Sequence, residues 1–180
     1  MREQNYALSG LLGPLIAVIC IAGSILLSPW FSWEINALSD LGHSVNSDVA
    51  PLFNFGLLSC GFLMIFYSVT SFRGHAKYTS YFLMFSGLAL QLVATFNEVY
   101  KPLHFQVSVL FFLSLCFASV SYIIEKRSIL AVVALTIGLI SWILYGLDVY
   151  SAGIAVPETV SSMATASWVV LAALKDYFAK

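Results

Sequence analysis

The sequence predicts an all-α polytopic membrane protein: a bundle of six transmembrane helices with a short interfacial or re-entrant helix in the first outer loop. Three observations predict it. Hydrophobic residues fill 60% of the 180 positions and charged residues only 9%, against about 25% charged in soluble chains. A surface so poor in charge cannot face water, which excludes a soluble domain. The apolar residues gather in six runs of spanning length that lack the alternation of barrel strands. The cations then sort to one side of those runs, as insertion into a bilayer requires.

The runs are approximately Ala7 to Leu27, Pro51 to Phe72, Thr79 to Phe96, Leu103 to Ile124, Ile129 to Leu147 and Pro157 to Leu174. At about 20 residues per span they leave only short connections, so residues 1–180 read as a single integral membrane domain. The first run follows one Arg and is 21 residues long, longer than the core of a signal peptide, and is read as a retained helix. Cys20, Cys60 and Cys116 all lie inside apolar runs and read as small packing residues rather than a disulfide framework.

Between the first and second runs lies the longest connection. Trp30-Phe31-Ser32-Trp33-Glu34-Ile35-Asn36-Ala37-Leu38-Ser39-Asp40-Leu41-Gly42 mixes apolar and polar residues and ends in a glycine suited to a helix C-cap. It predicts a short helix lying over the bundle mouth as a lid. The second, fourth and sixth runs open at Pro51, Pro102 and Pro157, each followed within three residues by a polar side chain, Asn54, His104 and Glu158. Proline fits the first helical turn, where its missing N–H had no partner in any case. His75, in Arg73-Gly74-His75-Ala76-Lys77, reads as a solvated loop residue. Gln91 and the serines Ser59, Ser68, Ser108, Ser114 and Ser119 read as interhelical hydrogen-bonding glue.

Arg2, Arg73, Lys77, Lys126, Arg127, Lys175 and Lys180 fall on one side and Lys101 alone on the other. The positive-inside rule therefore predicts a multi-pass protein of the plasma membrane with both termini in the cytoplasm. Trp30, Trp33, Trp142, Tyr145 and Tyr150 mark the outer interface, and Tyr6, Tyr78, Tyr122 and Tyr177 the inner one. The acids sort the opposite way: Glu34, Asp40, Asp48, Glu98, Asp148 and Glu158 fall outside, Glu3, Glu125 and Asp176 inside. Acids contribute little to topology, so the outer excess points to a function at that face. No basic cluster exists to bind nucleic acid, and no mid-membrane charge suggests a pump.

The candidate ligand-binding residues are thus Asn36, Asp40, His43, Asn54, Glu98, His104, Asp148 and Glu158. Asp40, His43, His104 and Glu158 together supply a nitrogen and oxygen ligand set for a divalent metal, Zn²⁺ or Mn²⁺. The same residue types also serve as helix caps and snorkelling groups near an interface, so a structural reading stands beside the metal one. Haem fits poorly, because His43 sits in a loop. For catalysis the candidates are Asp40, His104, Glu158 and Ser39, although no Gly-x-Ser-x-Gly elbow prepares the serine.

At these residues the chain resembles the six-helix membrane proteins grouped as domain of unknown function 998. The resemblance rests on Asn36-Ala37-Leu38-Ser39-Asp40-Leu41-Gly42, on Leu52-Phe53-Asn54-Phe55-Gly56-Leu57, on His104 with Phe111-Phe112, and on Pro157-Glu158. It departs at Phe96-Asn97-Glu98, where the family tends to a Phe-Pro turn. The resemblance implies a fold and a membrane location, without an activity. Alkaline ceramidases are similar only in gathering His, Asp and Ser at one end of a helical bundle, and their His-x-x-x-His is missing here. The function expected first is binding of a membrane lipid headgroup, a small ligand or a metal ion at an acid-rich outer pocket. Two alternatives stay open: a metal-dependent intramembrane lipid hydrolase, and a structural or accessory subunit whose outer face docks a protein partner.

Overall fold

The computed structural model describes residues 2–178, with side chains from residue 5. Lys180, one of the cations counted above, and the side chains of Arg2 and Glu3 lie outside the described residues. The architecture is all-α, built on α1 (Arg2–Leu26), α2 (Ala50–His75), α3 (Lys77–Thr95), α4 (Lys101–Lys126), α5 (Ile129–Gly146) and α6 (Ala155–Phe178). Four segments are long and apolar enough to cross a membrane: Asn5–Leu26, Ala50–His75, Glu98–Lys126 and Ile129–Gly146. Each helix packs on the next and α6 returns to α1, closing a ring. Its loosest consecutive pair is α4 with α5.

Backbone chemistry fixes where the helices begin and end. Pro51 sits in the first turn of α2, where it removes no helical bond. Helix α3 lacks a side-chain cap of its own, and Glu125 of α4 supplies one, accepting from the Tyr78 N–H at 3.0 Å and the Thr79 N–H at 2.7 Å. Arg127 turns left-handed at φ 50° to end α4, and the Ser128 hydroxyl then accepts the Ala131 N–H at 3.2 Å to open α5. Between α2 and α3 the backbones nearly touch: a Cβ on Gly87 would lie 2.7 Å from the Gly61 carbonyl oxygen. Small residues permit this approach, and close van der Waals packing is what joins helices in lipid.

Near its end, α2 carries a π-turn at Ser68–Phe72 before one last helical turn at Arg73–His75. The named serines act less as glue between helices than expected. Ser68 and Ser114 donate to carbonyls of their own helix, at Met64 and Phe111, the local alternative always open to a helical serine. Ser119 does bridge helices, accepting from Trp168 Nε1 at 3.3 Å.

In the first loop the structure holds one 3-10 turn, Leu38–Gly42, rather than a helix over residues 30–42. The cause is local. Asn36 Oδ1 accepts the Ser32 N–H at 2.9 Å and Ser32 Oγ accepts the Glu34 N–H at 3.2 Å, so side chains capture the backbone groups a helix would need. The loop is nonetheless docked. Leu41 is fully buried and Leu38 nearly so, and the backbone pairs with the α5–α6 connection through the Gly153 N–H to Trp33 O at 2.7 Å and the Ala155 N–H to Asn36 O at 3.1 Å. Trp30 and Trp33 stay half-exposed.

Candidate functional site

The Leu38–Gly42 turn rests on the ends of α4 and α6, and two carboxylates hold it there. Glu158, in the first turn of α6, accepts the Leu38 N–H at 2.8 Å through Oε2. Glu98, in the 3-10 turn Glu98–Tyr100 that leads into α4, accepts the Ser39 hydroxyl at 2.8 Å through Oε1. The same Glu98 oxygen lies 3.1 Å from His104 Nε2. These bonds join the first loop, the α3–α4 connection, α4 and α6.

His104 is 5% exposed and is held by both ring nitrogens. Nδ1 lies 2.7 Å from the Phe96 carbonyl oxygen, which can only accept, so Nδ1 carries a hydrogen. Nε2 faces Glu98 and, at 3.3 Å, the Ser108 hydroxyl one turn further along α4. A proton on that edge makes an imidazolium–carboxylate pair with Glu98. Glu158 is bonded differently: it has the Leu38 N–H and, among the described residues, no ion pair with any side chain.

Below this cluster a cavity of about 620 Å³ opens along the loose α4–α5 seam, bounded on its third side by α6. Ser39, Glu98, Lys101, His104, Ser108, Glu158 and Ser161 are among its polar lining, with Thr165 and Ser119 further along. Phe105, Val109, Phe112, Leu135, Leu139 and Trp142 make much of the apolar lining. It reaches Ser119, and from His104 to Ser119 helix α4 rises about 22 Å, more than half of the hydrocarbon thickness. A second cavity of about 360 Å³ lies inside the ring against α1 and α2, and Ser39, Ser108 and Glu158 border both.

Residues 11–175 match the family described as Protein of unknown function (DUF998). The chain belongs to that family. No curated protein and no solved structure matches it. The DUF998 match runs from α1 into α6, and so includes every residue of the cluster.

Of the residues the sequence nominated in this DUF998 chain, Ser39, Glu98, His104 and Glu158 come together. The others do not line the cavity. Asp40 turns back on its own loop, its Oδ2 accepting from Asn36 Nδ2 and from the Ala37 N–H, both at 2.9 Å, so Asn36 and Asp40 brace the turn. Asn54 donates to the Gly42 carbonyl at 2.9 Å and fastens that turn to α2. The His43 Nδ1 accepts from the Val45 and Asn46 N–H groups within its own bend. Asp148 is an exposed turn residue with φ 51°. Of the expected metal set, Asp40 and His43 thus spend their acceptors within the first loop, and among the described residues no group of three or more His, Cys, Asp or Glu side chains is placed to hold a metal ion.

Sequence reasoning missed Ser108 and Trp142 as parts of this site. Ser108 carried a usable signal, being four residues after His104 and hence on the same helix face. It also misread His75. That ring is tied at both nitrogens, to Asp176 Oδ1 at 2.9 Å and to the Tyr122 hydroxyl at 3.2 Å, and it stacks on Phe72 and Tyr122. The last turn of α2 carries His75 onto the ends of α4 and α6, where partners exist that a free loop would lack.

Proposed function

We propose that this DUF998 protein is a six-span plasma-membrane protein with both termini in the cytoplasm, and that it binds a membrane lipid with the headgroup at the first-loop end. The observation that carries the reading is the cavity of about 620 Å³: charged at its Glu98–His104–Glu158 end and mainly apolar, with a few hydroxyls, along the rest of its length. A small polar solute would leave that apolar length unfilled, whereas an amphiphile matches both parts, as ligand sites pair an apolar lining with a few orienting polar groups. The charge distribution supports the orientation, since among the described cations Arg73, Lys77, Lys126, Arg127 and Lys175 lie at the end opposite the first loop and Lys101 alone at the first-loop end.

Native mass spectrometry of the full-length protein in a neutral detergent tests the reading. One lipid per chain is expected to stay bound, and Ala134→Phe, which crowds the slot, should release it. Absence of lipid together with stoichiometric zinc or manganese by elemental analysis would instead favour the metal-dependent hydrolase. Orientation is checked with an impermeant thiol reagent, which should reach Val45→Cys from outside and Gly74→Cys only from the cytoplasm. Both positions are exposed.

A further inference from the structure

The groups that face the cavity are unequally satisfied. Glu98 has three partners for its charge: His104 at 3.1 Å, the Ser39 hydroxyl at 2.8 Å, and the field of Lys101 at the mouth. Helix α5 brings no charged side chain to the lining, and α6 brings only Glu158. Glu158 uses Oε2 for the Leu38 N–H and makes no ion pair among the described residues. A carboxylate partly shielded from water, with no cation in contact, gains from one that a ligand brings to it. A helix N-terminus offsets part of that charge without matching it. Glu98 and Glu158 thus share the field of His104, but only Glu98 pairs with it directly, which leaves Glu158 open to a cation at the head of the slot.

Resting on the lipid-binding reading, we propose that the ligand is an amphiphile with a protonated primary amine as its headgroup, the ammonium pairing with Glu158. Three features select this chemistry. An ammonium supplies three donors and no acceptor, and the Glu158 carboxylate with the Ser39, Ser108 and Ser161 hydroxyl oxygens offers acceptors on the polar wall. An anionic head would find His104 already paired with Glu98 and would meet Glu158 with no cation in contact, a repulsion that disfavours it. A neutral alcohol would fill the same volume and bring no charge to pair with Glu158. The apolar tail follows the α4–α5 seam past Trp142.

The full-length protein in phosphatidylcholine nanodiscs is titrated with dodecylammonium, dodecanol and dodecanoate, and binding is followed by Trp142 emission with Trp142→Phe as the blank. Dodecylammonium is expected to bind at least about tenfold more tightly than dodecanol, the size of a charge-assisted hydrogen bond gained, and dodecanoate more weakly than either. Glu158→Gln should erase the preference while dodecanol still binds. Saturable binding with equal affinity for the ammonium and the alcohol would overturn the ammonium proposal and leave lipid binding standing. Failure of all three chains to saturate would overturn both. The comparison among chains uses the unaltered protein, so it decides even where Glu158→Gln does not fold.

Discussion

The two ends of the bundle use the same chemistry to opposite effect. At the end opposite the first loop, His75 is clamped between Asp176 and Tyr122, and Asp176 also accepts the Tyr67 hydroxyl at 2.8 Å. Phe72, Tyr122 and Trp168 wall the cluster, with the Tyr122 and Trp168 rings stacked at 4.5 Å. None of Tyr67, His75, Tyr122 and Asp176 borders either cavity. At the first-loop end, His104 and Glu98 form an equivalent pair, yet their wall is open and Glu158 beside them keeps unused capacity. A closed polar network rigidifies a fold, whereas one with an acceptor left over beside a cavity has room for a further hydrogen bond, the feature on which the proposed ligand site rests.

The contrast breaks most readily at Asp176. Asp176→Ala strips partners from both Tyr67 and His75, and should cost about 2 kcal/mol, as loss of hydrogen bonds to a charged group in a partly buried pair does. Thermal unfolding in detergent should record the loss, while the ammonium preference of the folded fraction stays unchanged. A melting temperature equal to that of the parent would dissolve the distinction between the two ends. Asn54→Ala is the intermediate case. It removes one bond to the Gly42 carbonyl, worth about 1 kcal/mol, and hydrogen exchange should rise at residues 38–42 while His75 and its neighbours stay protected. The smallest effect belongs to His43, whose ring serves only its own bend. His43→Ala should shift stability by less than about 0.5 kcal/mol and leave ligand titrations superimposable; a weakened titration would return His43 to the site.

The helices were legible because an apolar run of spanning length admits few other structures in lipid. Their ends were less so: α6 runs on to Phe178, past the apolar stretch, since Lys175, Asp176 and Tyr177 remain helical after ceasing to be apolar. The first loop misled because its apolar residues suggest a helix while Ser32 and Asn36 spend their side chains on the backbone. Charge counting sent Glu98, His104 and Glu158 to one face, and the structure joins them with Ser39. It could not separate them from Asp40 or Asp148, which share that face but point into turns. His75 and Asp176 are a hundred residues apart, and each looked like a loop or tail residue; only the packing of α2 on α6 reveals the pair.

The π-turn at Ser68–Phe72 makes the closed end sensitive to chain length rather than to residue type. It accommodates an extra residue within α2, and every later side chain is turned accordingly. One residue of α-helix corresponds to about 100° of rotation. Deleting Val69, which is exposed and makes no polar bond of its own, would restore a regular helix and swing His75 about a quarter-turn away from Asp176. A substitution at position 69 keeps that register, whereas loss of one residue there would turn His75 from Asp176 and Tyr122 and uncouple α2 from α4 and α6.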